Sequence, residues 1–376
     1  MRVVATNPFR YTGPVGIDDL IDRDDETDEL LRTSQEGNNA RLVAPRRFGK
    51  TSLLRRVAGE AEAGGWTSVY VDFFGVLSIT DVTARIESAY AAALTGTMSR
   101  WFAGARRTLR PAVQVGGAGL PVRAGISLEE QRTGLEERLA LPVRVHQRTG
   151  RRVLVVFDEF QDVLVAGRNV DATIRSVIQH HQQVAAYVFA GSHTGMMTEL
   201  FADPARAFYQ QARPVALPPL PPEATATFLG ERFSTTGKEI GEALPGVLDA
   251  AAGHPQRTIL LAHELWALTR PGRAADPTLA ATALDAALAG LADEFRERWA
   301  RLPAAERRVL AALAQGQGPY SRSVSPADRG RTTQATLQAL AARGDILRAG
   351  SGARGMPYAV VDPFFAEWIR RGRSGW

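Results

Sequence analysis

Eight consecutive residues have the types and order of a phosphate-binding loop. They are Pro45, Arg46, Arg47, Phe48, Gly49, Lys50, Thr51 and Ser52. In the P-loop pattern G-x-x-x-x-G-K-[ST], backbone amides surround the phosphates, the lysine reaches the β- and γ-phosphates, and the hydroxyl binds Mg²⁺. Gly49, Lys50 and Thr51 match this pattern, and Ala44 stands in place of its first glycine. The alternative is a chance Gly-Lys-Thr in a surface loop, which the position between an expected strand and an expected helix disfavours.

The rarity of lysine singles out Lys50. Of 45 basic residues only two are lysine, Lys50 and Lys238. Such an excess of arginine over lysine is typical of a gene with biased codon composition. The planar guanidinium of arginine does not replace a compact ammonium in a phosphate loop. We therefore predict that Lys50 is a catalytic residue as well as a nucleotide ligand.

An acidic pair follows an apolar run about 110 residues further along the chain. Val153–Phe157 is continuously apolar, as in a strand buried on both faces of a parallel sheet. Asp158 and Glu159 come next, at the strand end where open α/β sheets bind ligands. Asp158 is predicted to hold Mg²⁺ with Thr51, and Glu159 to polarise the water that attacks the γ-phosphate. A pair that merely ends a strand is the alternative, and the preceding phosphate loop disfavours it.

Two further sites, at Ser192 and at Pro255 with Arg257, allow a functional and a structural interpretation with equal weight. Ser192 ends the apolar run 185–192, where it would contact the γ-phosphate or the attacking water, or would cap the next helix. Pro255 and Arg257 lie at a helical junction, where they would contact adenine and phosphate respectively. A proline at the first turn of a helix is also structurally ordinary.

Alternating strands and helices indicate how these residues are positioned. Strands are expected at 41–44, 67–73, 151–160, 185–192 and 213–217. Helices are expected at 49–63, 80–94, 128–149 and 170–183, with a hairpin at 111–126. This order predicts an α/β domain, a P-loop NTPase parallel sheet with helices on both faces, over residues 37–222. Residues 1–36 form an N-terminal segment.

The chain changes character after Pro222. Residues 223–300 are rich in alanine and leucine and predict a helical lid domain. Residues 301–376 predict a winged helix-turn-helix, because two helices precede a hairpin with a glycine-rich tip. Residues 1–36 carry a net charge of −5, whereas residues 296–376 carry +8, which suggests that the two ends bind different partners or each other. The alternative is a solvated surface on which charges cluster by chance.

Composition excludes several classes of protein. The chain has no cysteine, which excludes disulfides and thiolate metal sites. There is no apolar run of about 18 residues and no apolar signal core, so we expect a cytoplasmic protein with no membrane partner. The basic tail allows duplex DNA binding, with Arg329, Arg331 and Arg354 contacting phosphates. The alternative is a lid that packs within the protein or binds a protein partner.

Together these residues resemble the archaeal-type ATPase family of the AAA+/STAND class. The resemblance covers nearly the whole chain: Asn7-Pro8-Phe9, Asp22–Glu26, the P-loop (Walker A), a Walker B run from Val156 to Gln161, Ala190-Gly191-Ser192 and Gly253-His254-Pro255. Origin-recognition ATPases with C-terminal winged helices are similar more distantly. The resemblance implies ATP and Mg²⁺ as cofactors, ATP hydrolysis coupled to a conformational switch, and a homo-oligomer when ATP is bound.

The chain departs from the family pattern in two places. One is Ala44, and the other is the Tyr-Gly-Arg that the family often has after the sensor strand. Here the matching stretch runs from Phe208 to Arg213, so Arg206 or Arg213 would have to act as an arginine finger from a neighbour. Because such a finger contributes about 10³–10⁵ in rate, hydrolysis is expected to be slow. A DNA-associated ATPase, a STAND-type signalling switch with a protein partner, and a non-hydrolysing nucleotide-binding protein all remain open.

Overall fold

The computed structural model describes residues 6–16, 19–108, 127–320, 331–348 and 357–372. Of residues 105–108 and 331–332 only the backbone is described. The expected hairpin at 111–126, Arg329 and Arg354 lie outside the described residues, as does the side chain of Arg331.

The chain forms two compact units. The sheet unit comprises Asp24–Ala44 and Leu53–Leu217, and the helical unit comprises Met1–Arg23, Pro45–Ser52 and Pro218–Trp376. This division differs from the expected domain limits, because the first 23 residues group with the C-terminal half and not with the rest of segment 1–36.

The sheet unit contains five parallel strands among its described residues. They are β1 (Ala40–Val43), β2 (Thr67–Asp72), β3 (Val153–Asp158), β4 (Ala185–Gly191) and β5 (Arg213–Val215). Their order is β2-β3-β4-β1-β5, with Val43 opposite Gly191 and Phe157 opposite Phe189. Every residue of β3 and β4 is buried, as expected for central strands covered on both faces. The P-loop NTPase fold class is thereby confirmed.

Nine helices accompany these strands along the described chain between residues 24 and 217. They are α1 (Asp24–Gln35), α2 (Lys50–Ala63), α3 (Ile79–Ala93), α4 (Gly96–Thr108), α5 (Leu128–Leu139), α6 (Leu141–Thr149), α7 (Val163–Ala166), α8 (Val170–Ile178) and α9 (Thr194–Ala202). The single helix expected at 128–149 is wrong: Pro142 lies in the first turn of α6, where its missing N–H ends the continuity with α5.

An aromatic cluster fixes the chain where it leaves β3. The Phe160 ring stacks on Phe157 with centroids 5.8 Å apart and lies 4.7 Å from Phe189 of β4. It also meets Phe208 edge-on at 5.1 Å. Because Phe157 and Phe160 flank Asp158 and Glu159, this packing determines where the acidic pair stands.

The helical unit has one continuous apolar core. Its described elements are α10 (Pro222–Ser234), α11 (Leu244–Ala251), α12 (Pro255–Leu268), α13 (Pro277–Gly290), α14 (Ala292–Arg301), α15 (Ala304–Ala314), α16 (Arg331–Arg343), β6 (Ile346–Arg348), β7 (Tyr358–Val360) and α17 (Pro363–Arg370). Strands β6 and β7 pair antiparallel, so the order from α15 onward is that of a winged helix. Core residues from 220 to 369 belong to one cluster, so the expected lid and winged-helix domains share a core.

The N-terminal segment is anchored on α12. The Asn7 amide donates to the His263 carbonyl at 3.1 Å, and His263 Nδ1 lies 2.8 Å from the Phe9 carbonyl. Phe9 is buried, with its ring centroid 5.3 Å from that of Phe233. Thus the Asn-Pro-Phe stretch packs in the core of the helical unit. None of the described helices is long and apolar enough to cross a membrane.

Candidate functional site

The loop from Pro45 to Gly49 continues directly from β1. Pro45 and Phe48 are buried, whereas Arg46 and Arg47 are exposed. The Phe48 ring meets the His254 ring edge-on at 5.3 Å, and Arg47 pairs with Glu294 at 3.0 Å. In this structure Phe48 therefore anchors the loop within the helical unit.

The turn before α2 depends on left-handed backbone. Gly49 has φ +89°, and an added Cβ there would meet no atom within 4 Å, so conformation and not space favours glycine. Arg47 also has positive φ, at +64°. Left-handed residues alternating with right-handed ones turn successive amides toward one side, which is the basis of an anion nest.

The lysine of the loop is placed at the first residue of α2. Lys50 is 6% exposed, and its Nζ donates to the Pro45 carbonyl at 3.0 Å. Thr51 is half-buried one residue later. The Ser52 hydroxyl oxygen accepts a hydrogen bond from the Val15 amide at 3.1 Å and so ties the N-terminal segment to α2.

The acidic pair stands where β3 ends. Asp158 is 5% exposed; its Oδ1 accepts from the Glu159 amide at 2.9 Å, and its Oδ2 accepts from the Tyr70 hydroxyl. Glu159 has φ +49°, a left-handed conformation that is uncommon for a residue other than glycine. Such strained backbone clusters at functional sites.

Three donors converge on one oxygen of Glu159. Oε2 accepts from the Ser192 hydroxyl at 2.7 Å, from the Ser192 amide at 3.1 Å and from Gln161 Nε2 at 2.6 Å. Ser192 thus contacts the acidic pair directly. Its alternative role as helix cap is wrong, because His193 caps α9 by accepting from the Met196 amide at 3.2 Å.

Arg257 lies in a buried ion pair. Helix α12 begins at Pro255, and the Arg257 guanidinium donates to Asp362 with Nε–Oδ1 at 2.9 Å and Nη2–Oδ2 at 2.5 Å. Burial alone would raise the pKa of Asp362, but the Arg257 hydrogen bonds and charge, with His254 and Arg298, hold it below 3.8. Contacts of Pro255 with adenine and of Arg257 with phosphate stay predictions.

Both candidate arginine fingers have partners within the sheet unit. Arg206 pairs with Glu199 and lies 3.9 Å from Asp171. Arg213 pairs with Glu29 at 3.2 Å. Whether either arginine acts in a neighbouring copy stays a prediction.

The oxygen donors suit Mg²⁺ bound through a nucleotide. The described residues contain no group of three or more histidine and carboxylate side chains that would hold a metal by themselves. Thr51 has a hydroxyl and Asp158 a carboxylate, and each is a type of oxygen ligand that Mg²⁺ takes together with phosphates and waters. The chemistry of each side chain therefore fits Mg²⁺, and their binding of one common ion stays a prediction.

The sequence singles out the acidic pair and Ser192 but indicates no role for Gln161, His254 or Asp362. Gln161 follows Glu159 by two positions, which was the available signal. Asp362 lies 105 residues from Arg257, and nothing in the sequence links the two.

The strand order β2-β3-β4-β1-β5 and the loop that enters a helix at Lys50 define a P-loop NTPase fold. The chain is similar to the Walker-type ATPase PABY2304 of Pyrococcus abyssi, with a TM-score of 0.66, 19% identity and coverage of 96% of this chain and 99% of that one. It is also similar to the Aeropyrum pernix ORC2 protein, solved in ADPNP–ADP complexes, with a TM-score of 0.57, 16% identity and coverage of 100% and 98%. No protein-family model matches the chain, and no curated protein matches it in sequence. At these identities the likeness establishes the fold.

Proposed function

We propose that this chain binds ATP with Mg²⁺, hydrolyses it, and uses the nucleotide state as a conformational switch. The observation that carries the proposal is the arrangement of Glu159, which has a left-handed backbone after β3 and stands beside the buried Asp158. Its carboxylate is held by Ser192, the residue that follows β4. The carboxyl end of β1, which leads into the P-loop, lies next to β4 in the same sheet. In α/β sheets this edge is where ligands bind.

Binding of the triphosphate is assigned to the P-loop. The backbone N–H groups of residues 46–49 and of the start of α2 favour negative charge. Lys50 exchanges its hydrogen bond with the Pro45 carbonyl for phosphate oxygens. Thr51 and Asp158 hold Mg²⁺, which neutralises charge on the phosphates when bound. Pro255 and Arg257 are proposed to contact adenine and phosphate.

Hydrolysis is assigned to Glu159 and Ser192. Glu159 orients a water and accepts its proton as the water oxygen bonds to the γ-phosphorus and the bond to ADP breaks. Ser192 fixes the carboxylate through its hydroxyl and its amide. Without an arginine finger in the usual position, we expect a slow basal rate.

The partner of the winged helix is proposed to be duplex DNA. In support, two helices and a hairpin carry an excess of arginine, and α16 exposes Gln334 and Gln338, side chains able to read base edges. A protein partner, as in a signalling switch, is favoured by a different observation. Arg343 at the end of α16 pairs with Glu306 and with Asp345 at 3.0 Å, which reduces positive charge at that face.

The decisive experiment measures phosphate release with and without duplex DNA at two salt concentrations, with light scattering to report ATP-dependent homo-oligomers. DNA-stimulated turnover that falls with salt supports DNA. ATP-dependent assembly with no DNA effect supports a protein partner.

Two variants test the site itself. Lys50→Ala should abolish ATP affinity, and retained affinity would refute the site. Glu159→Gln should keep ATP affinity and lose turnover, whereas an unchanged rate would assign the chain as a non-hydrolysing binder.

A further inference from the structure

The Gln161 side chain lies between two carboxylates. Its Nε2 donates to Glu159 Oε2 at 2.6 Å and to Asp162 Oδ1 at 3.1 Å. The other Asp162 oxygen accepts from the Gly75 amide at 2.9 Å, so Asp162 is itself fixed by the loop that follows β2. Gln161 is 4% exposed, and all these residues belong to the sheet unit.

These neighbours determine which way the amide points. Both atoms facing Nε2 are carboxylate oxygens, which only accept hydrogen bonds, so the amide nitrogen must occupy this position. The amide oxygen then lies on the opposite side, where it is buried and has no hydrogen-bond partner among the residues that the structure describes. An unpartnered buried oxygen destabilises the fold, and in native structures such groups call for a functional or structural reason.

Space for that oxygen exists because residue 191 is glycine. A Cβ at Gly191 would overlap Gln161 Oε1 and would lie 2.6 Å from Met197 Sδ. The end of β4 therefore accommodates Gln161 through the absence of a side chain at 191. It is also followed by Ser192, whose hydroxyl and amide contact Glu159.

We propose that Gln161 is a positioning residue for ATP hydrolysis, holding Glu159 in the orientation that serves the attacking water. This inference rests on the function proposed above. Ser192 holds Glu159 Oε2 from the end of β4, and Gln161 holds the same atom from the turn after β3. Two anchors on different elements fix a flexible side chain whose backbone is already constrained at φ +49°. The buried, unpaired oxygen is the consequence of turning the amide nitrogen toward Glu159.

The test compares Gln161→Met, which keeps the length of the side chain and removes the donor, with Gln183→Met, an exposed position in the same unit. Gln161→Met should lower kcat about tenfold to a hundredfold, the range expected for a misplaced catalytic group. The dissociation constant for a fluorescent ATP analogue should change less than about twofold. Gln183→Met should leave kcat, affinity and the melting temperature unchanged.

A second comparison separates positioning from a general structural role. In a Glu159→Gln background, adding Gln161→Met should change the residual rate less than about twofold, because the group it acts through is already lost. Gln161→Asn, which keeps the amide but is one carbon shorter, should also lower kcat selectively. It provides an independent variant if Gln161→Met does not fold.

Each other result has a definite meaning. The positioning role is overturned, while the proposed function stands, by either of two results. One is a kcat that is unchanged or increased in folded Gln161 variants. The other is a loss of rate from Gln161→Met that is as large in the Glu159→Gln background as in the wild type. A wild-type chain that binds ATP and does not hydrolyse it overturns the proposed hydrolysis, and the positioning role falls with it.

Discussion

Replacing His254 by asparagine should remove a specific acid sensitivity of the fold. His254 is 4% exposed and caps α12, with Nδ1 accepting from the Arg257 amide at 3.4 Å. Burial lowers the pKa of His254 to about 4; the charges of Arg257 and Arg47 act in the same direction, and Asp362 acts against them. Only the neutral ring has an acceptor at Nδ1, so the cap requires the deprotonated form.

The sign and size of the effect follow from linkage. Between the unfolded pKa near 6.5 and the folded value near 4, the unfolded chain binds a proton that the folded chain does not. The stability that His254 contributes is therefore complete above about pH 6.5 and is lost as the pH falls toward 4. This shift corresponds to roughly 3 kcal/mol in total, of which about 2 kcal/mol disappears between pH 7.5 and pH 5.

The loss of stability is measured by urea denaturation without nucleotide, monitored by circular dichroism at pH 7.5, 6 and 5. The wild type and His254→Asn are compared. Asparagine is an effective helix cap that does not titrate, so the variant isolates the proton. His181 is also buried with its pKa lowered to about 4, but it titrates in both proteins and cancels in the difference. If wild type and His254→Asn lose stability in parallel from pH 7.5 to 5, the reasoning fails.

Three further changes have definite expected outcomes. Asp362→Asn keeps a capping side chain for α17 but leaves the Arg257 charge buried without its partner, so urea denaturation should show a free energy of unfolding lower by about 3–5 kcal/mol. Adding Arg257→Met should restore part of that stability. Losses that simply add in the double variant would contradict the pairing. Lys238→Met should lower stability by about 1–3 kcal/mol, because Lys238 Nζ donates to the Trp266 carbonyl at 2.6 Å. Lys238→Met should keep ATP affinity, whereas Lys50→Met should lose it; reversed results would exchange the two roles. Gly253→Ala should destabilise by about 1–3 kcal/mol, because its φ is +71° and its Cβ would lie 2.7 Å from the Leu220 carbonyl oxygen. Gly272→Ala, where φ is +69° and no atom lies within 4 Å of the added Cβ, should lower the free energy of unfolding clearly less when both variants are compared by urea denaturation.

Local patterns determined much of the sheet unit. The apolar runs that became β3 and β4 were readable because strands buried on both faces need no alternation. The P-loop residues were readable because they follow a short fixed pattern, and the acidic pair was readable because it follows a continuous apolar run. The sequence did not reveal that the helix expected at 128–149 is divided in two, because the break at Pro142 leaves the helical periodicity on either side intact.

By itself the sequence indicated the type of chemistry that we propose, through a lysine at position 50 in a chain rich in arginine and a carboxylate pair after an apolar run. Only the tertiary structure decided which groups hold that pair, since Gln161 reaches Glu159 through the turn after β3 and Ser192 reaches it across the sheet. It likewise decided that Arg257 meets Asp362, 105 residues away. The reason is physical: periodicity and propensity act over a few residues, whereas hydrogen-bond partners and buried charges are selected by packing that the local sequence does not encode.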